Sequence, residues 1–122
     1  MGFKCPLVPK WGGIRFRHHS CIVMNGSVII GKNCTLHQGV TLGKSFAGEK
    51  AGDPILSDNV VVFAGAKIIG NVHIGSHVVV GANAVVINDV PDFCVVAGVP
   101  AKIISHDSTK CFEGIWKNVH CF

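Results

Sequence analysis

The sequence predicts an all-β protein wound as a parallel β-helix, and three features of its 122 residues point there. Large aliphatic side chains recur every sixth residue. Small or β-branched side chains recur two residues before each of them. Residues that tolerate turns and left-handed backbone angles recur three residues after.

The anchors are Met24, Ile30, Leu36 and Leu42, and, after an interruption, Leu56, Val62, Ile68, Ile74, Val80 and Val86. All ten are Leu, Ile, Val or Met. Those types make up under a third of the chain, so ten from ten is not chance. The positions two residues earlier are Ile22, Val28, Cys34, Val40, Pro54, Val60, Ala66, Val72, Val78 and Ala84. Three residues after the anchors stand Ser27, Asn33, Gly39, Ser45, Asn59, Gly65, Asn71, His77, Asn83 and Asp89.

Residues i−2 and i of a short strand lie on one face, and the turn residues then bend the chain. Repeated every six residues, strand plus corner winds into a solenoid whose anchors pack against the coils above and below. A helix would need apolar residues at spacings of three and four, which do not recur. The pattern does not dictate the hand of the coil, and the right-handed crossover rule for ordinary sheets is no guide to it.

The phase breaks at "KSFAGEKAGD", residues 44–53, a polar stretch with two glycines. An insertion of this kind projects from one side of a solenoid, where function tends to sit. The repeat core is expected over about residues 18–91, and a tail over 105–122 leaves the rhythm. In the tail, the spacing of Phe112, Ile115, Trp116, Val119 and Phe122 is compatible with a short amphipathic helix that covers the last coil or packs on a neighbouring subunit. The whole of 1–122 reads as a single domain.

Composition narrows the function. The net charge is +4, and the only dense basic spot is Arg15-x-Arg17, too little for a nucleic-acid groove. A modest positive balance suits an anionic small molecule. Cys5, Cys21, Cys34, Cys94, Cys111 and Cys121 form no CxxC pair and no compact disulfide framework. No signal peptide opens the sequence, and no uncharged run approaches the ~18 residues of a membrane span. The expected setting is cytoplasmic, with reduced thiols.

The six-residue rhythm, the excursion after "GVTLG" and the closing "DVPDFCVVAGVPAKII" together resemble the hexapeptide-repeat acyltransferases. The resemblance covers roughly residues 13–104 and is strongest to serine acetyltransferases and related polysaccharide O-acetyltransferases. It implies a left-handed, triangular parallel β-helix with three hexads per coil. It also implies a homotrimer with active sites between neighbouring subunits and acetyl-CoA as donor. The long helical N-terminal domain of serine acetyltransferases is not expected within these 122 residues.

Counting back from "GVTLG" without gaps places His18 on the family's catalytic histidine, with His19 as its neighbour. An imidazole with a pKa near 6.5 can take the proton of a hydroxyl as it attacks a thioester, assistance typically worth ~10²–10⁴-fold. The implied course is direct transfer in a ternary complex without an acyl-enzyme. Extended backwards, however, the hexad register puts His18 at an anchor position, where it would cap the core. On the donor side, Ala64 in "VFAGAK" and Ala82 in "VVGANAVV" match positions where the family exposes small residues to the pantetheine arm. Lys102 in "GVPAK" matches a basic residue near the CoA phosphates, and Lys44 is a further candidate.

Three positions depart from the serine enzymes. Arg17 replaces an aspartate that helps hold the substrate amine. Gly52 and Asp53 replace an Arg-His pair at the end of the loop. No carboxylate that would orient His18 is evident. Lost polar recognition groups weaken substrate discrimination strongly. The acceptor is therefore expected to be a saccharide hydroxyl, met by the 44–53 loop with Arg15, Arg17 and Gln38. Serine O-acetylation in cysteine biosynthesis is the alternative, and a non-catalytic β-helix scaffold is a third reading.

Metal chemistry is not expected. His73-x3-His77 and His18-x2-Cys21 offer superficial ligand spacings, but His73 precedes an anchor and His77 falls at a corner, so both should face solvent. Cys21 as a covalent nucleophile would need a lowered pKa, which no neighbouring residue in the sequence provides.

Overall fold

The computed structural model describes residues 15–16, 22–46, 48 and 50–109. Within them the chain forms thirteen short strands: β1 (Arg15–Phe16), β2 (Val23–Met24), β3 (Ile29–Ile30), β4 (Thr35–Leu36), β5 (Thr41–Gly43), β6 (Ile55–Leu56), β7 (Val61–Val62), β8 (Lys67–Ile69), β9 (His73–Ile74), β10 (Val79–Val80), β11 (Val85–Val86), β12 (Val95–Ala97) and β13 (Lys102–Ser105). They fall into three sheets. One has the order β1-β4-β7-β10-β12-β13, a second β11-β8-β5-β2 and a third β3-β6-β9. Up to β11 successive strands occupy successive sheets, and all strand pairings are parallel except β12 with β13. The three sheets are thus the sides of a triangular coil.

Each anchor points inward because it shares a strand face with the residue two before it. Leu36, Leu42, Val62, Ile68, Ile74 and Val80, with Cys34, Val40, Val60, Ala66, Val72 and Val78, are fully buried in one continuous core. Stacked side chains of this kind meet across ~4.8 Å between coils. The corners turn as expected: Asn33, Gly39, Asn59, Gly65, His77 and Asn83 all have φ between 58° and 75°. Asparagine and glycine reach that region at little cost.

The uninterrupted coil takes three hexads, as between Val61 and its partner Val79. Three departures from that length shape the molecule. Thr35 pairs with Val61, so the loop lengthens its coil by more than a hexad. Val79 pairs with Val95 and Ile74 bridges Val90, each two positions short of three hexads. In this shortened last coil, Val90, Cys94 and Val96 enter the core where unbroken hexads would have placed Asp92. Phe93 then takes the left-handed corner with φ 60°, three residues after Val90. The core therefore extends past the expected limit near residue 91.

The third departure lies at the start of the described residues. Arg15 pairs with Thr35 and Phe16 with Leu36, each two positions beyond three hexads. The strand register thus sets Phe16, not His18, opposite the Leu36 anchor. Between Phe16 and Val23 run six residues, where the equivalent later connections have four. His18, His19 and Cys21 themselves lie outside the described residues, as does the tail from residue 110.

Each corner has its own chemistry. At the corner leading from the three-stranded to the six-stranded sheet, an aspartate fastens the coil beneath. Asp58 Oδ1 accepts from Lys32 N at 2.8 Å, and Asp92 Oδ1 from Ser76 N at 2.8 Å. The last turn is held to this corner: buried Ser108 donates its hydroxyl to the His77 carbonyl and its N–H to the Phe93 carbonyl. His77 is not solvent-facing as expected but half-buried. The shortened coil brings Phe93 over it, with ring centroids 4.7 Å apart.

Candidate active site

The corner from the six-stranded to the four-stranded sheet is made of Gln38 and Gly39, then Ala64 and Gly65, then Ala82 and Asn83, one coil above another. Gly65 N donates to the Gln38 carbonyl and Asn83 N to the Ala64 carbonyl, so backbone hydrogen bonds run up this edge. Little room exists for larger groups inside it. A Cβ on Gly65, whose φ is +75°, would lie 2.1 Å from Asn83 Oδ1, and one on Gly81 would lie 3.2 Å from the Ala97 Cβ. Ala64 is half-exposed and Ala82 exposed.

Lys102 lies in the hairpin that stacks above the same edge. Its residue pairs with Ala97 in the β12–β13 hairpin, and Ala97 sits on Gly81. The hairpin is held down by Val85 N donating to the Gly98 carbonyl and Ala101 N to the Val85 carbonyl. Ala64, Ala82 and Lys102, far apart in sequence, are therefore collected on one corner. The flanking strands of the His18 connection, β1 and β2, belong to the six- and four-stranded sheets, the same two that this corner joins.

Lys44 is not collected there. It lies at the corner between the four- and three-stranded sheets, where the loop leaves the coil. The loop is closed at its root by paired hydrogen bonds between Ser45 and Gly52. Its Lys50 carbonyl accepts from Asn71 N at 2.8 Å, and Lys50 Nζ reaches Asp89 at 3.4 Å. Asp89 also accepts from His73 N, a bond that lowers its pKa below the ordinary carboxylate value. The loop is thus docked along the corner. Phe46 extends from it with 88% of its surface exposed, and Lys44 Nζ lies 5.9 Å from the Phe46 ring centre.

Asp53, in place of the family's histidine, is engaged. It accepts from Asn25 Nδ2 at 2.6 Å and lies 3.7 Å from Lys44 Nζ, with its side chain 9% exposed. The sequence showed Asp53 as a departure but not this network, because Asn25 stands far back in the chain and meets it only through the coil. Lys67 was also missed. It precedes the Ile68 anchor, so the six-residue register directs it outward, but its bond to the Gly65 carbonyl at 3.1 Å appears only in the fold.

Among the described residues no group of three or more His, Cys, Asp or Glu is placed to hold an ion. His73 Nε2 is 3.0 Å from Ser57 Oγ on the exposed outer surface. Burial pushes the Cys34 thiol up to about 11, and burial followed by Asp92 raises that of Cys94. Neither is a poised nucleophile. No helix of the described residues is long and apolar enough to cross a membrane.

Comparison with known proteins agrees with this architecture. Residues 53–88 match the family described as bacterial transferase hexapeptide (six repeats). The chain is 45% identical over 100 residues to a serine acetyltransferase of Synechococcus elongatus, covering 80% of this chain and 40% of that protein. It is 43% identical over 97 residues to one of Haemophilus influenzae, covering 78% and 36%. A Brucella abortus serine acetyltransferase solved with coenzyme A superposes with a TM-score of 0.75 at 32% identity, covering 80% of this chain and 40% of that one. A Neisseria gonorrhoeae serine acetyltransferase solved with serine gives 0.70 at 39%, covering 76% and 38%. The chain spans about two fifths of the length of the relatives it matches. The three parallel sheets are those of a left-handed β-helix of hexapeptide repeats, and the chain belongs to the hexapeptide-repeat transferases, related to the serine acetyltransferases.

Proposed function

We propose that the protein is an acetyl-CoA-dependent O-acetyltransferase with serine as acceptor. The observation that carries this reading is 45% identity to a serine acetyltransferase across the coils that bring Ala64, Ala82 and Lys102 to one corner. The comparisons favour serine over the saccharide that the sequence suggested. The corner also suits an extended donor: Ala64 and Ala82 present only methyl groups on successive coils, with Ala82 exposed, so a pantetheine arm can lie against the backbone there. Lys102 supplies a charge for the CoA phosphates.

Bound acetyl-CoA would supply an activated thioester acyl group. The protein's part is to position it and to move one proton. His18 acts as general base, taking the proton of the acceptor hydroxyl as its oxygen attacks the thioester carbonyl and returning it to the sulfur that leaves when the C–S bond breaks.

The loop and the alanine corner are different corners of one triangular coil. Within a single copy Lys44 and Asp53 do not share an edge with Ala64 and Ala82. A site that uses both draws them from neighbouring copies, which supports a homotrimer with three sites between subunits.

One observation favours a saccharide acceptor as the second reading. Asp53 is tied to Asn25 and Lys44, and Gly52 offers no side chain, so this loop end presents neutral and paired groups. Measuring kcat/KM with acetyl-CoA for L-serine and for a panel of mono- and oligosaccharides, by CoA release, decides between them. Saturable serine acetylation with inert sugars is the expected result. Sugar turnover with inert serine overturns the choice of acceptor, and no turnover with any hydroxyl supports a scaffold.

A further inference from the structure

We infer that Lys67 is a donor-binding residue, holding a phosphate of the cosubstrate beside the alanine corner. The inference rests on the reading of that corner as the donor site and adds to it a residue that its backbone contacts alone do not provide.

Lys67 is the first residue of β8 and stands on the outer face of the four-stranded sheet, between Thr41 below and Val85 above. Its side chain is turned back toward the alanine corner. Nζ donates to the carbonyl of Gly65, the residue after Ala64, at 3.1 Å. That single bond fixes where the charge sits and leaves two of the three ammonium protons for another acceptor. No ion pair joins Lys67 to a carboxylate among the described residues, unlike Lys44 and Lys50. The ammonium is exposed and fixed one coil below Ala82.

Lys102 approaches the same corner from the hairpin above, on the side of the six-stranded sheet. The edge of Ala64 and Ala82 is therefore flanked by two cations on two different sheets. A neutral ligand gains nothing from such a pair. A ligand with an extended neutral arm and an anionic end does, since compact ammonium groups suit mobile phosphates. The arm would lie on the alanine edge and the anionic end between the two lysines.

The test is binding of CoA and of pantetheine, which lacks the phosphates, by calorimetry to the intact protein. Lys67→Gln should weaken CoA binding about 5- to 10-fold at low salt and leave pantetheine unchanged. At about 0.5 M salt the difference should shrink, since exposed charges are screened. In turnover, the same variant should raise KM for acetyl-CoA with kcat little altered. Lys32→Gln, at a different corner, serves as the charge-matched control and should behave as wild type. Equal CoA affinity of Lys67→Gln and wild type overturns the inference, as does an equal loss for pantetheine. Failure of the wild type itself to bind CoA refutes instead the donor reading on which the inference rests.

Discussion

Replacing Gly70 by alanine should loosen the loop from the coil, and the structure sets the size of the effect. Gly70 has φ +93°, and a Cβ there would lie 2.8 Å from the carbonyl oxygen of Lys50. That oxygen cannot simply give way, because it accepts the N–H of Asn71 at 2.8 Å. The left-handed backbone costs a residue with a side chain about 1–2 kcal/mol. Loss of the Asn71 bond adds about 0.5–1.5 kcal/mol. The Lys50–Asp89 pair is exposed and contributes little. The expected destabilisation is therefore about 1.5–3.5 kcal/mol, against roughly 6–18 kcal/mol for a domain of this length. Urea denaturation should record it as a lower midpoint with an unchanged slope. Where the loop detaches alone, trypsin cleavage after Lys50 should accelerate while the global midpoint moves less. Gly26→Ala is the control, since a Cβ there meets nothing within 4 Å. Wild-type stability together with wild-type resistance to trypsin in Gly70→Ala would refute the docking of the loop.

Further outcomes follow from the same structure. His18→Ala should slow acetyl transfer by ~10²-fold or more in steady-state assays while CoA binding persists, and His19→Ala should do much less. Ile74→Ala, at a fully buried anchor between Leu56 and Val90, should cost about 2–5 kcal/mol by denaturant titration. The Cys34 thiol titrates from an ordinary 9.0 up to about 11 in the fold, so the unfolded chain loses this proton first as pH rises. The stability contributed by the protonated thiol should be complete below about pH 9 and decline between about 9 and 11, and Cys34→Ala should remove that part of the decline. Light scattering at micromolar concentration should give a trimer, and a monomer would remove the between-subunit site.

The coil was legible because burial repeats at a fixed period. Any residue in phase with Leu36 or Ile68 had to point inward, and the asparagines and glycines three residues later had to turn. What escaped were the changes of phase. The hexad count ended at Val86 because its next anchor would have been Asp92, which cannot be buried cheaply. The chain instead shortens its coil so that Val90 and Val96, themselves six apart, supply the anchors. The same kind of slip, in the direction of a longer coil, puts Phe16 in register where His18 had been expected. At the site, Ala64 and Ala82 were legible as corner residues three hexads apart. Lys67 and the Asn25–Asp53–Lys44 network were not, because a side chain's direction along an edge is set by carbonyls and partners from other coils.

We propose that an acetyl-transfer site forms where the His18 connection of one copy meets the loop corner of another. Coexpression of His18→Ala with a variant lacking residues 45–52 tests it most directly. Each variant alone should form a trimer with at most about a hundredth of wild-type acetyl transfer. In mixed trimers, some sites pair an intact His18 with an intact loop from a neighbour, and a substantial fraction of wild-type CoA release should return. Mixed trimers that remain as inactive as the separate variants would contradict the account.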